Sequence, residues 1–515
     1  MSLSTSVREH RPFLVALALG AVVRVAVVVA FPPGFVLSDG PTYLAQVDDL
    51  FPRTDRVVGY GFMLDALATV SRAVWLVTAV QHVLGLLTAV LLYILLRRRS
   101  VPGGLATLTC LPVLFDAMQL VLEHSPLSDV LFVLLVVAGI AALAWHQRPS
   151  VATVALGGAL FGLAACVRVV GQPLVVVAVL FCLWAATTWR ARVLTSVVVA
   201  LSFAVPVTAY AAWYHAEHGI WAMTESGGRA LYMRTTGFVD CSAFTMPAYE
   251  RPLCPAEPLG SRLDPTDYGW HTPDATHGLV LPPGVTYDEA MGDFAGRAIR
   301  AQPGAYARIV ARDLMMSFTA ERTDHYEYDT AYKWRLDTYV TLEPTARSRA
   351  AYAAHGGDQL EVREPLAEWL AWYGWTVYAW GPLLLLLTVL AVAGLVVRRA
   401  ASAPGTRPAL FLVLATAAGL MAAPAVTAQF VWRYQLPFVV LVPAAAVLAV
   451  VRLSARFGAQ SGAQSGDESG DESGDESGDE SGSQSGTVAT PSTDWPNGGV
   501  TRRSTNRVVG TTNRS

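Results

Sequence analysis

Apolar residues in this chain fall in long blocks separated by polar turns, at 12–31, 73–96, 103–122, 128–145, 151–167, 173–189, 193–213, 372–397, 409–427 and 436–451. Each block runs roughly 17–26 residues, the length a helix needs to cross a hydrocarbon layer about 30 Å thick. In lipid every backbone polar group must be paired within its own segment, so blocks of this kind predict helices. No period-2 alternation points to a barrel. The expected fold is an all-α polytopic membrane protein of about ten transmembrane helices. The first block resembles a signal peptide in length, but no small-residue cleavage site follows it, and it is read as an uncleaved first helix.

The polar stretches divide the chain. An N-terminal membrane module is expected at 1–213, with a long first loop at 32–72. An extracytoplasmic domain follows at 214–371, then C-terminal membrane helices at 372–453. Within the domain, 225–283 is rich in Gly and Pro and predicts irregular structure, whereas 287–318 carries a helical apolar pattern that Pro303 splits in two. The remainder, 454–515, holds the four-residue repeats AQSG and DESG, has no residues able to anchor a core, and is expected to be a disordered cytoplasmic tail.

Composition agrees with lipid as the solvent: 53% of the 515 residues are hydrophobic and only 15% are charged. Arginines mark every second turn: Arg8 and Arg11 before the first block, Arg97, Arg98 and Arg99 after the second, Arg148 after the fourth, and Arg190 and Arg192 after the sixth. Arg398, Arg399 and Arg407 follow the eighth, and Arg452 and Arg456 the tenth. That alternation predicts a plasma-membrane protein with both termini in the cytoplasm. Cys110, Cys166 and Cys182 fall inside apolar blocks and read as small core residues. Cys241 and Cys254 both lie in the expected external domain; in an oxidising compartment they read as one disulfide, two free thiols being the other reading.

Candidate chemistry collects at the external ends of the blocks. Asp39 and Tyr43, just past the first block, share a face if that segment is helical. A carboxylate there can serve as general base to a hydroxyl acceptor, or simply cap a short helix, and spacing does not separate the two. Asp116, Gln119 and Glu123 fall on one face of the third block, followed by His124 and Asp129. Ionisable groups at a span are costly unless they face a cavity or a partner, so these are candidate substrate contacts, with an internal network tying helices together as the alternative. Arg56, Arg168 and Arg433 stand where the positive-inside tendency would not place them. Guanidinium matches phosphate bidentately, so together with Tyr60 and Tyr434 they describe a site for a phosphate-linked lipid; pairing with the nearby carboxylates is the competing explanation. There is no GxxxxGK[ST], GxGxxG or HExxH motif, so nucleotide-driven chemistry and zinc proteolysis have no support, and no nucleic-acid partner is expected.

Taken in order, these residues resemble the C-type (GT-C) glycosyltransferases, which include protein O-mannosyltransferases, the lipid A aminoarabinose transferase and actinobacterial cell-envelope transferases. The resemblance covers roughly residues 14–453 and rests on Asp39 with Tyr43, RVVGYGFMLDAL at 56–67, LEHSPLSDVLF at 122–132, GALFGLAACVRVVG at 158–171 and RYQLP at 433–437. It implies inverting transfer of a sugar from a polyprenyl-phosphate donor to a cell-envelope glycan, lipid or secreted acceptor on the external face. Asp39 would be the base and Arg56, Arg168 and Arg433 the donor-phosphate ligands. The family commonly has proline where this chain has Gly61, and some members use adjacent acids in this loop, which makes Asp48 and Asp49 the alternative base. No cofactor is implied; a divalent metal is possible and not indicated.

Overall fold

The computed structural model describes residues 3–271, 279–324, 331–338, 345–397 and 405–467, and the regular structure among them is helical. In chain order the helices that matter are α1 (Leu3–Ala30), α2 (Gly40–Leu44), α3 (Gly59–Ala68), α4 (Val74–Arg98), α5 (Gly103–Phe115), α6 (Ala117–Glu123), α7 (Asp129–Leu143), α8 (Val151–Val167) and α9 (Leu174–Ala185). They continue with α10 (Trp189–His218), α11 (Gly227–Thr236), α12 (Tyr287–Ala301), α13 (Pro303–Met316), α14 (Ala346–Ala354), α15 (Leu366–Thr376), α16 (Gly381–Val396), α17 (Thr406–Thr427) and α18 (Leu436–Asp467).

Five segments are long and apolar enough to cross a membrane: Glu9–Ala30, Val74–Arg98, Trp189–His218, Thr406–Thr427 and Trp432–Ser454. Two bent pairs, α5 with α6 and α15 with α16, raise the number to seven if each is one span. The remaining three blocks form the shorter helices α7, α8 and α9. These lengths and compositions are those of a helical membrane protein. Burial orders the spans. The Trp432–Ser454 window is 72% buried, whereas those of Glu9–Ala30 and Trp189–His218 are 33% and 22% buried. The last span is therefore central, and α1 and α10 turn Leu19, Val22, Leu201 and Val205 outward, as a lipid-facing helix does.

The third and eighth blocks were expected as continuous helices, and both are broken. Asp116 takes an extended conformation (ψ 128°) between α5 and α6, bending the pair by 55°, and the chain bends by 47° between α15 and α16. A break in lipid frees backbone groups that need partners, and here each break supplies the other's. The Ala117 amide donates to the Val377 carbonyl (3.0 Å), and Asp116 Oδ2 accepts from the Ala379 amide (2.6 Å). Asp116 Oδ1 also caps α6, accepting from the amides of Met118 (2.9 Å) and Gln119 (3.2 Å).

Close packing sets the ends of the helices. On α8, Gly158 and Gly162 lie against the backbone of α10, where a Cβ would strike the Val199 and Phe203 carbonyls. This small-residue seam carries α8 along α10 and fixes the place of Arg168 at its end.

Residues between α10 and α13 form a smaller core of Tyr232, Val239, Leu253, Met291 and Phe294, with the Cys241–Cys254 disulfide packed on it. Helix α11 lies inside the stretch expected to be irregular and packs on α12. Pro303 separates α12 from α13, and Thr286 with Glu289 forms a capping box at the start of α12. Helical conformation persists to Asp467, past residue 454 where disorder was expected. The DESG repeats beyond it, and Arg398 and Arg399, lie outside the described residues. The described residues up to Gly462 form one compact unit.

Candidate active site

Asp39 occupies the N-cap position of α2, yet its side chain makes no capping bond. It faces two guanidinium groups instead. Arg433 Nη2 donates to Oδ2 at 2.5 Å, and Arg56 Nη1 stands 3.3 Å from Oδ1. Both arginines are more enclosed than the carboxylate: 9% and 21% of their side-chain surfaces are exposed, against 29% for Asp39. Burial works to raise the Asp39 carboxyl, but the charges of Arg433 and Arg56 outweigh it and hold the group well below the usual carboxylate range. Burial works against the Arg56 cation, and Asp39 overcomes it and holds the guanidinium charged.

A second pair lies beside the first. Arg168 Nη1 contacts Asp129 Oδ1 at 2.5 Å and donates to Ser128 Oγ at 3.5 Å, while Ser128 and the Tyr43 hydroxyl are 3.0 Å apart. Tyr43 therefore joins the two pairs, since Arg56 also sits 5.3 Å from the centre of its ring. Arg168 and Arg433 each stand 5.3 Å from the Tyr434 ring, so one aromatic side chain is shared by both charges. Tyr60 packs edge-on to Tyr43 at 5.0 Å and donates to Gln81 Oε1 at 2.6 Å. Burial raises the hydroxyls of Tyr43 and Tyr60 above the ordinary phenol value, with Asp39 adding to the shift at Tyr43, so both remain donors.

Sequence far apart meets here for local reasons. Gly59 lies against the last turn of α8, where a Cβ would overlap the Cys166 carbonyl, and this contact sets the Arg56 loop beside Arg168. Arg433 opens the central span in a short 3-10 turn, Trp432–Gln435.

Not every donor in the cluster is used. Arg433 Nε and Nη1 and Asp129 Oδ2 are buried with no hydrogen-bond partner among the described residues. Two guanidinium nitrogens are thus left idle in a side chain 9% exposed. Among the described residues no three His, Cys, Asp or Glu side chains are grouped to hold a metal ion.

Asp39, Tyr43, Arg56, Tyr60, Asp129, Arg168, Arg433 and Tyr434 thus come together. Asp116, Glu123 and His124, expected at the same pocket, do not. Asp116 is spent on the helix break, and Glu123 is 0% exposed and paired with Arg24 (2.7 Å) and His82 (2.8 Å). His124 bonds His82 and the Phe31 carbonyl. The correction has one cause: ending α5 at Asp116 turns α6 into the bundle, where these groups meet partners rather than a cavity. Asp48 is held at the surface by Arg72 at 2.5 Å, and Asp49 is exposed, so neither alternative base reaches the arginines. Sequence reasoning overlooked Arg24, although a cation within an apolar block is itself a signal. It also overlooked Trp334, 5.4 Å from Arg433, and Ser128, which nothing in the pattern distinguishes.

No protein-family model, curated protein or solved structure matches this chain. Two surface cavities, of about 590 and 470 Å³, open on α12 and α13 and are not lined by the arginine cluster.

Proposed function

We propose that this chain is a C-type membrane glycosyltransferase. In this reading the ten apolar blocks span the plasma membrane, both termini are cytoplasmic, and the Asp39 end faces outward. A sugar passes with inversion from a polyprenyl-phosphate donor to a cell-envelope glycan, lipid or secreted acceptor. The observation that carries the proposal is one carboxylate held between Arg433 and Arg56, with two buried Arg433 donors still unused.

The resting arrangement explains why donor must bind before chemistry. A carboxylate neutralised by two arginines is a weak base, far from the range in which proton transfer at neutral pH is efficient. A donor phosphate meeting the idle face of Arg433, and then Arg56, draws those charges off Asp39. The carboxylate regains basicity as the leaving group acquires its ligands. Asp39 then removes the acceptor hydroxyl proton, the acceptor oxygen bonds to the anomeric carbon, and the bond to the lipid phosphate breaks. Arg433, Arg56 and Arg168 stabilise the charge that develops on that phosphate. Tyr434, which is partly exposed, supplies an aromatic face to the bound sugar and lipid head, and the fully buried Tyr60 backs Tyr43.

Purified protein in proteoliposomes, given radiolabelled polyprenyl-phosphate sugars and a cell-envelope extract, should label an acceptor, and Asp39→Asn should abolish that labelling. Transfer that survives Asp39→Asn would end the reading.

A transporter for a lipid-linked or anionic solute is the second reading, and the two broken helix pairs favour it, since such breaks are common at transport sites. Against it, both breaks are closed by bonds to each other, leaving no open helix end for a solute. Accelerated movement of the lipid across vesicles without transfer would select it.

A further inference from the structure

The bundle holds a chain of ionisable groups that the proposed reaction does not use. Glu123 Oε1 accepts from Arg24 Nη2 and Gln119 Nε2, each at 2.7 Å, and Oε2 lies 2.8 Å from His82 Nδ1. His82 Nε2 is 3.1 Å from His124 Nδ1, and His124 Nε2 is 2.8 Å from the Phe31 carbonyl. Four helices and a loop contribute: α1 gives Arg24, α4 gives His82, α6 gives Gln119 and Glu123, and α5 gives the Val113 and Leu114 carbonyls that bind the rest of Arg24.

With His124 neutral, the form that its complete burial favours, the direction of these bonds follows. A carbonyl oxygen can only accept, so His124 carries its proton on Nε2. Neutral His124 then has a bare Nδ1, and His82 must donate to it through Nε2. One further proton has to lie between His82 Nδ1 and Glu123 Oε2, because without it two lone pairs would face each other in a site that is 0% exposed at Glu123.

The far end of the chain grips the segment that carries Asp39. His124 binds it twice, through Nε2 to the Phe31 carbonyl and through its own carbonyl to the Phe35 amide at 2.8 Å. On the opposite side Tyr352 bonds the Gly34 carbonyl (2.6 Å) and the Val36 amide (3.0 Å). Asp39 follows three residues later.

We infer that Glu123, His82 and His124 are positioning residues: a directional hydrogen-bond chain, anchored on Arg24, that latches segment 31–39 and so presents Asp39 to Arg433 and Arg56. The inference rests on the proposed function only where ligand binding is read. Hydrogen exchange and nitrogen chemical shifts judge the latch without it.

The test uses the full-length protein in lipid nanodiscs, with His124→Gln, whose amide nitrogen can replace the Nε2 donor, and His124→Phe, which cannot. His124→Phe should speed amide exchange across residues 35–43 by about tenfold, while His124→Gln stays close to wild type. Nitrogen-15 spectra of the wild type should give His124 protonated on Nε2 and bare on Nδ1, and His82 protonated on Nε2. The opposite tautomer at His124, unchanged exchange in His124→Phe, or equally fast exchange in both variants overturns the inference. Farnesyl phosphate serves as the binding probe. His124→Phe should bind it about tenfold more weakly than His124→Gln, and equal binding overturns the positioning role. A wild type that binds none of it counts against the proposed site and leaves the latch to the other two readouts.

Discussion

Asp39→Asn separates binding from turnover, with effects of opposite sign. In the resting protein Asp39 occupies Arg433 Nη2 and stands against Arg56, so it competes with a phosphate for the same cations. Asparagine keeps the shape and removes the charge. The repulsion relieved between a carboxylate and a phosphate at roughly 6 Å, with an effective dielectric near 20, is about 2–3 kcal/mol per unit charge. Part of this is lost to solvent, since Asp39 is 29% exposed. About 1.4 kcal/mol should remain, or a tenfold tighter complex with a short-chain polyprenyl phosphate. Transfer should fall by about 10²–10⁴, the usual worth of a general base. Equilibrium binding of radiolabelled polyprenyl phosphate and single-turnover transfer on the same preparation give both numbers. Folding must be monitored too, because Arg433 loses a partner while 9% exposed. A folded Asp39→Asn variant that binds phosphate more weakly than wild type would refute the competition, and one that still transfers sugar would refute the base.

Arg433→Gln should weaken the same phosphate by roughly 100-fold, the worth of two charge-assisted bonds at about 1.5 kcal/mol each, as read by the same equilibrium binding. Gly59→Val should push the Arg56 loop off the end of α8, costing about 1–3 kcal/mol in thermal unfolding and weakening phosphate binding with it. Because the folded Asp39 carboxyl lies below its unfolded value near 3.9, its contribution to stability is complete above about pH 5 and fades progressively as pH falls through the unfolded value toward the lower folded one. Binding measured between pH 5 and 9 should therefore follow only the second ionisation of the phosphate near 6, tightening as pH rises, with no carboxylate step. Arg24→Leu should destabilise the protein by about 3–5 kcal/mol, and Arg24→Leu with Glu123→Leu by clearly less, because the single change strands a buried carboxylate.

The sequence makes the membrane helices legible because lipid imposes a simple rule on length and apolarity, and all ten blocks are helical. It hides the breaks at Asp116 and Val377, since a helix can be interrupted wherever a distant segment supplies hydrogen bonds, and that supply is a tertiary fact. The error spread from there. Gln119 and Glu123 still share a face on α6, but the bend at Asp116 turns that face into the bundle, so the expected pocket does not form around them. The arginines were found because each stands where neither lipid nor topology favours a cation. Their partners were harder: Arg433 and Asp39 are 394 residues apart, and it takes packing to show Asp39 against the arginines while Arg72 holds Asp48 elsewhere.

In the proposed transfer, charge balance connects the base to the leaving group. Arg56, Arg168 and Arg433 face Asp39, Asp55 and Asp129, so the resting cluster is neutral. A lipid phosphodiester brings one negative charge. On transfer its phosphate becomes a monoester with a second charge, while Asp39 takes up the acceptor's proton and loses its own. The cluster therefore has the same total charge before and after the sugar moves. What changes in the proposed reaction is where the charge sits, and the same two guanidinium groups that touch Asp39 would also touch the phosphate. As negative charge leaves Asp39 and grows on the phosphate, Arg433 and Arg56 need only shift their hydrogen bonds across a few ångströms. Proton uptake and phosphate departure then share one barrier instead of each creating an uncompensated charge at the edge of a low-dielectric bundle. On this account, a second enclosed carboxylate beside Asp39 would slow transfer more than an equal charge elsewhere in the loop, since it would hold the arginines back from the leaving group.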